Sequence, residues 1–246
     1  MNEVIKQLFD RKSTRVFTDQ EISQEDKRLI IESAIQAPTA GNQCMYTIID
    51  ITDKTLLAQL SESCDHQPFI KEAKLALIFC ADFQKWYDAF KMVNPSVRTP
   101  DKGDLMIAVD DALIAAQNAV VAASSLGIGS CYIGDIMEQY ELHKELLNLT
   151  DYVFPAAFVV FGYPTLQQLE RKKPSRFDYE DMVCENTYQR KNEGQIKQMF
   201  IKRGLKDNPN FDFETYLKAF SKRKYESDFS CEMSRSVNEY LKHFKS

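Results

Sequence analysis

Arg11, Ser13 and Arg15 stand at alternate positions in the run Arg11-Lys12-Ser13-Thr14-Arg15-Val16-Phe17. In an extended segment side chains alternate between two faces, so these three point one way while Lys12 and Thr14 point the other. Two forked cationic donors and a hydroxyl on one face suit a phosphate group; the alternative is a solvated charged strand. A second basic patch, Arg171-Lys172-Lys173-Pro174-Ser175-Arg176, lies far along the chain and by itself reads as a solvated linker. Two polar loops, Pro38-Thr39-Ala40-Gly41-Asn42-Gln43 and Asp65-His66-Gln67, offer side chains that can hold a ligand or simply make turns. Gly127, Gly129 and Gly134 bracket the β-prone Ser130-Cys131-Tyr132-Ile133, whose ends place exposed backbone N–H groups beside any ligand lying there.

Several chemistries are missing. There is no phosphate-binding G-x-x-x-x-G-K loop, no H-E-x-x-H and no G-x-S-x-G. Gly127-x-Gly129 lacks the third glycine of a dinucleotide fingerprint and follows a helix where that motif follows a strand. His66, His143 and His243 have no metal-ligand spacing, so they read as surface or satisfied core histidines and no metal is expected. Six cysteines without a C-x-x-C pair read as free thiols of a reducing compartment. What remains suits an anionic, flat, hydrogen-bonding cofactor that carries the chemistry itself.

The elements that must position these residues follow from periodicity. Apolar residues at Leu105, Ala108, Val109, Ala112, Ala116, Ala119, Val120 and Ala123 predict a long central helix ending at Gly127, with small side chains on more than one face. Ser23 with Asp26 predicts an N-cap and a helix that Pro38 terminates. Met45–Ile51, Leu75–Cys80 and Pro155–Gly162 read as strands, and Asn94–Gly103 as a surface loop able to act as a lid or to be disordered. Helices alternating with apolar strands favour, on pattern alone, a parallel doubly wound sheet.

With 246 residues, 44% hydrophobic and 27% charged, the chain has the composition of a globular protein. No run of about 18 apolar residues and no signal-like N-terminus occurs, so a cytoplasmic protein away from membranes is expected. The net charge of −5 hides an asymmetry: from Tyr188 onward 13 Lys and Arg face 8 Asp and Glu, against 18 and 28 before it. Because that tail alternates signs and has regular apolar positions, it reads as folding onto an acidic body or partner subunit rather than as a nucleic-acid binder.

Five segments in their order and spacing resemble the FMN-dependent nitroreductase family over most of residues 1–190. They are Arg11-x-Ser13-x-Arg15, Ala37-Pro38-Thr39-Ala40-Gly41-Asn42, Asp65-His66-Gln67, Gly127-Ile128-Gly129-Ser130-Cys131-Tyr132-Ile133-Gly134, and Lys173-Pro174-Ser175-Arg176 followed by Glu185-Asn186-Thr187-Tyr188. The resemblance implies an α+β fold, a mixed and mainly antiparallel sheet flanked by helices, in an intertwined homodimer with FMN at the subunit interface; it overrides the parallel reading. It implies an FMN-binding domain over 1–190 and a helical extension over 191–246 packing on the body or the partner. Carried over by position, Arg11, Ser13 and Arg15 hold the phosphate and ribityl chain together with Lys173 and Arg176. Thr39 and Asn42 contact the ribityl or ring edge, and Gln67 the pyrimidine side from the other subunit. Ile133, Gly134 and Asp135 lie along the ring, with a backbone amide toward N5 or O4.

The implied activity passes a hydride from NAD(P)H through flavin N5 to a nitroaromatic, quinone or flavin, with no catalytic side chain. The alternative is a flavin store or redox-sensing protein without turnover. A 2′-phosphate would be read by the 94–103 loop or by Arg190, Lys202 and Arg203.

Overall fold

Four strands, β1 (Tyr46–Asp50), β2 (Leu75–Asp82), β3 (Gly129–Ile133) and β4 (Val153–Gly162), form one sheet in the order β1-β2-β4-β3. All three pairings are antiparallel, with Ile48 opposite Phe79, Ile78 opposite Phe158 and Cys131 opposite Val160. The only parallel element among the described residues is a single bridge between Ser13 and Ser130. The doubly wound reading fails for a physical reason. β2 is buried along its whole length and β4 beyond its first residue. Apolarity on both faces therefore reports burial on both sides and says nothing of strand direction. Pro155, which has no N–H for the ladder, sits where the register shifts: Phe79 faces Ala157 and Cys80 faces Pro155.

The computed structural model describes residues 1–245, and helices surround the sheet: α1 (Glu3–Asp10), α2 (Gln24–Ile35), α3 (Lys54–Ser63), α4 (Gln84–Val93), α5 (Lys102–Ser125), α6 (Tyr140–Leu146) and α7 (Leu166–Glu170). Ser23 caps α2 as its sequence predicts, its Oγ accepting from Asp26 N at 3.0 Å. α5 packs on α2 and on the sheet through an alanine face, Ala108, Ala112, Ala115, Ala116, Ala119 and Ala123, all fully buried. By length and hydropathy α5 would pass for a membrane span, yet nine of its residues lie in the core. It ends at Gly127 with φ 74°, where Ile128 N bonds Ala123 O at 2.9 Å and Gly127 N bonds Ser124 O at 3.1 Å, a Schellman cap. The 94–103 loop is pinned: Arg98 pairs through both Nη atoms with Asp104 at 2.5 and 2.8 Å, and Asp101 and Asp104 form a capping box. That guanidinium holds the Asp104 carboxyl below its ordinary pKa.

Two compact units share the chain, one built from Met1–Arg171 and the segment from Glu232 onward, the other from Lys172–Cys231. The division falls within the basic patch, between Arg171 and Lys172, and the segment from Glu232 belongs to the first unit. The second unit holds α8 (Tyr179–Met182), α9 (Glu193–Asp207) and α10 (Phe213–Lys224). α11 (Asp228–Leu241) brings Tyr240 into edge contact with Phe154 at 5.0 Å, and beyond it Phe244 meets Tyr152 at 5.5 Å.

His143 is fully buried and satisfied at both ring nitrogens, as a core histidine must be. Nδ1 lies 3.0 Å from Ile136 O and so carries the proton in this network; Nε2 accepts from Ser63 Oγ at 2.8 Å. The ring thereby ties the end of α3 to the turn Gly134–Met137. Burial pushes its pKa below the usual 6.5. The unfolded chain therefore takes up a proton that the native state resists, so the contribution is complete above about pH 6.5 and shrinks as pH falls toward the folded-state value. The urea midpoint is expected to fall between about pH 7.5 and about pH 5.5, and His143→Gln to flatten that limb; an unchanged slope in the variant assigns the loss elsewhere.

Candidate functional site

The segment 13–17 is extended and is sewn to the sheet at both ends. Ser13 bridges Ser130, Thr14 N donates to Ser130 O at 2.9 Å, Phe17 bridges Pro164, and Thr18 N donates to Tyr163 O at 2.8 Å. Close approach is what requires two glycines here: a Cβ on Gly129 would lie 2.4 Å from Thr14 Oγ1, and one on Gly162 2.6 Å from Phe17 Cδ1. Gly129 is thus occupied by Thr14, a role the sequence pattern did not disclose. The alternation holds as expected. Thr14 is buried against the sheet, and Lys12 Nζ reaches the carbonyls of Leu169 and Arg171.

On the other face Arg11, Ser13 and Arg15 gather around Cys131. Burial pushes that thiol's pKa up, while the charge of Arg15, a hydrogen bond from Ser13 and the charge of Arg11 pull it down. Among the described residues neither Arg11 nor Arg15 pairs with a carboxylate, and Arg11 Nε is buried with no partner. A positive cradle without a counter-ion and with an orphaned donor fits a phosphomonoester. From behind, α7 and its C-cap fix the segment: Gln168 Oε1 accepts from Arg15 N at 3.1 Å, and Arg171 Nη2 donates to Ser13 O at 2.7 Å.

Arg15 also lies over Phe69, 5.8 Å from its ring centre, which joins the cradle to the turn carrying Gln67. Gln67 donates both amide hydrogens, to Cys64 O at 2.8 Å and to Asp135 Oδ2 at 3.0 Å, leaving its Oε1 as an acceptor. Asp135 follows Ile133 and Gly134 at the end of β3. Nothing lies within 4 Å of a Cβ built on Gly134 and its φ is not left-handed, so neither packing nor conformation within the chain demands glycine there. Open space beside a bare backbone fits a flat ring. Asp65 and His66 take left-handed φ values of 62° and 50°, as do Asn42 at 57° and Cys44 at 47°; backbone strain gathers in the two polar loops. His66 itself is exposed and pairs with Glu62 at 2.7 Å.

Thr39 does not turn outward. Its Oγ1 donates to Asp111 on α5 and accepts from Cys44 N at 2.8 Å, while Asn42 is exposed. Sequence reasoning did not single out Asp111, one of two adjacent acids, Asp110 and Asp111, in an alanine-rich helix.

Lys173 and Arg176 belong to the second unit, where Arg176 Nη1 donates to Pro174 O at 3.1 Å. The basic residues of that unit are largely committed internally. Arg203 stacks on Phe177 at 4.2 Å and Phe200 at 5.1 Å and donates to Tyr216 Oη at 3.0 Å. Lys202 and Lys206 both bind Asp178, and Lys172 lies 3.1 Å from Asp207. The amide and hydroxyl of Ser175, with Lys172, hold the Asp207 carboxyl down at about 2.

The sequence model of the Nitroreductase family matches residues 8–163. The chain is similar to FMN reductase (NAD(P)H) of Bacillus subtilis (strain 168), 36% identical over 190 residues that make up 76% of this chain and 75% of that one. Among solved structures, B. megaterium NfrA2 matches with a TM-score of 0.78 at 30% identity, covering 96% of this chain and 98% of the other. The NADPH:FMN oxidoreductase from Vibrio harveyi, complexed with NAD+, matches with a TM-score of 0.78 at 25% identity over 98% of each chain.

Gly129→Ala tests the close approach directly. The added methyl must push Thr14 off β3 and carry Ser13 and Arg15 with it, so a loss of about 1–3 kcal/mol of stability is expected from urea unfolding. Thr14→Ala, which removes both the Oγ1 that the new methyl would meet and the side-chain methyl, should recover part of that loss in the double variant.

Proposed function

Since the chain belongs to the nitroreductase family, we propose that it is an FMN-dependent oxidoreductase that takes reducing equivalents from NAD(P)H and delivers them to a small-molecule acceptor such as a nitroaromatic, quinone or flavin. The observation that carries this reading is the cradle of Arg11, Ser13 and Arg15, its guanidinium groups without a carboxylate partner among the described residues, together with the uncovered backbone at Gly134. FMN, when bound, supplies a ring that accepts a hydride at N5 and gives up electrons to a second substrate. The chain's work is binding and orientation. Arg11, Ser13 and Arg15 neutralise the phosphate, with Arg11 Nε a donor otherwise without a partner. Gln67, fixed by Cys64 and Asp135, turns its one remaining acceptor to the pyrimidine edge. Ile133, Gly134 and Asp135 would lie along the ring, where a backbone amide would stabilise negative charge on it. No side chain has to exchange a proton in this scheme.

A flavin store without turnover is the weaker reading, because the relatives that match are named as reductases and oxidoreductases. Six free cysteines suit a reducing, cytoplasmic compartment. We assign the exposed apolar residues of α1 (Val4, Ile5, Leu8, Phe9) and of α5 (Ile107, Leu113, Ile114) to the face that meets a second copy. Light scattering should then give the mass of two chains, and Ile114→Glu should shift it toward one.

The purified protein should be yellow, bleach with NADPH or NADH under nitrogen, and regain its colour on adding nitrofurazone; a yellow protein that does not bleach favours storage. In the same preparation Arg15→Ala should hold FMN more weakly by about 1.5–3 kcal/mol, the worth of one charge-assisted hydrogen bond. Undiminished flavin content in that variant would remove Arg15 from the phosphate.

A further inference from the structure

The loop between α2 and β1 is held in place mainly by one acid. Asp111 lies mid-way along α5, is 2% exposed, and has no cationic partner among the described residues. Three donors converge on it from the loop: Thr39 Oγ1, Ala40 N at 3.1 Å and Met45 N at 3.0 Å. Thr39 Oγ1 passes the constraint on by accepting from Cys44 N, and Trp86 Nε1 adds a bond to Gln43 O at 2.7 Å. Between these anchors Gly41, Asn42 and Cys44 take φ values of 57°, 57° and 47°. Two of those are non-glycine residues in a conformation that side chains disfavour, so the path is imposed from outside the loop.

A buried carboxylate is an expensive anchor. It persists only when every lone pair that matters is met by a donor, and here a hydroxyl and two backbone amides do so. Simple packing would not need it, because the neighbouring positions on the same face of α5, Ala108, Ala112 and Ala115, fill their space with methyl groups. What the carboxylate adds is a fixed shape for Thr39–Met45.

We propose that Asp111 is a positioning residue for flavin binding. It acts through this loop, presenting Asn42 and its neighbouring backbone to the ribityl and ring portion of the ligand, independently of the phosphate cradle. The proposal rests on the flavin reading given above. Thr39, for which the family resemblance implies a direct contact, serves here as the hydroxyl link between Asp111 and Cys44.

The two parts of the site can be separated by ligand truncation, since riboflavin lacks the phosphate. Dissociation constants for FMN and for riboflavin are measured by flavin fluorescence quenching on flavin-stripped protein, well below its melting midpoint. The proteins compared are the wild type, Arg15→Ala, Asp111→Asn, Thr39→Val and Thr39→Ser. Asp111→Asn keeps the shape but replaces one acceptor oxygen with a donor, and is expected to weaken both flavins by a similar factor, about tenfold. Arg15→Ala should weaken FMN and leave riboflavin unchanged. Thr39→Val should follow Asp111→Asn, and Thr39→Ser, which retains the hydroxyl, should restore binding.

A merely structural role predicts a lower melting midpoint with both constants unchanged, and that result overturns the proposal. So does selective loss of FMN in Asp111→Asn. Should Asp111→Asn not fold, the Thr39 pair decides, because it alters only the loop's end of the link. A wild type that binds neither flavin would overturn the flavin reading and this inference with it, whereas normal wild-type binding with unchanged variants overturns this inference alone.

Discussion

One backbone hydrogen bond, Thr14 N to Ser130 O, sets the register on which the rest of the cradle depends. Residues of an extended segment alternate in direction, so fixing Thr14 inward places Ser13 and Arg15 outward without further instruction. The contact exists because Gly129 has no side chain, and the packing that results is too tight for any other residue. Slipping by one residue would turn Lys12 and Thr14 toward the ligand and bury the guanidinium groups, an outcome opposed by the desolvation of two charges. A cheap neutral contact therefore decides where expensive charges go.

α5 performs the complementary task for the loops. Its alanine face lets α2 and the sheet approach closely, and that closeness brings Thr39, Ala40 and Met45 within hydrogen-bonding distance of Asp111. The left-handed residues of both polar loops then follow from attachments at their ends: Asp111 and Trp86 for one, the Gln67 bonds to Cys64 and Asp135 for the other. In each case the strained residues lie next to groups proposed to meet the ligand, where a fixed backbone lowers the entropy lost on binding.

Much of this was legible before any coordinates. The N-cap at Ser23, the long helix with its cap at Gly127, the strand at Ser130–Ile133 and the alternation of Arg11, Ser13 and Arg15 are local properties, and local patterns record them. Three things were not legible, each for a reason. Strand direction left no trace because β2 and β4 are covered on both faces. Gly129 and Asp111 owe their roles to partners far away in sequence, which spacing within a window does not encode. The basic tail read as a segment folding onto an acidic body or partner, with Arg203 a candidate for a 2′-phosphate, yet Arg203 is stacked among Phe177, Phe200 and Tyr216, which only the pairing of distant aromatics reveals.

The return of the chain to the first unit at Glu232 gives the second unit the standing of an insertion, moored at both ends. The arrangement also makes the sequence beyond it indispensable: Tyr240 and Phe244 are core residues that can take their places only after the whole excursion has been synthesised. A nascent chain therefore adds this aromatic part of its hydrophobic interior only after the second unit has been made.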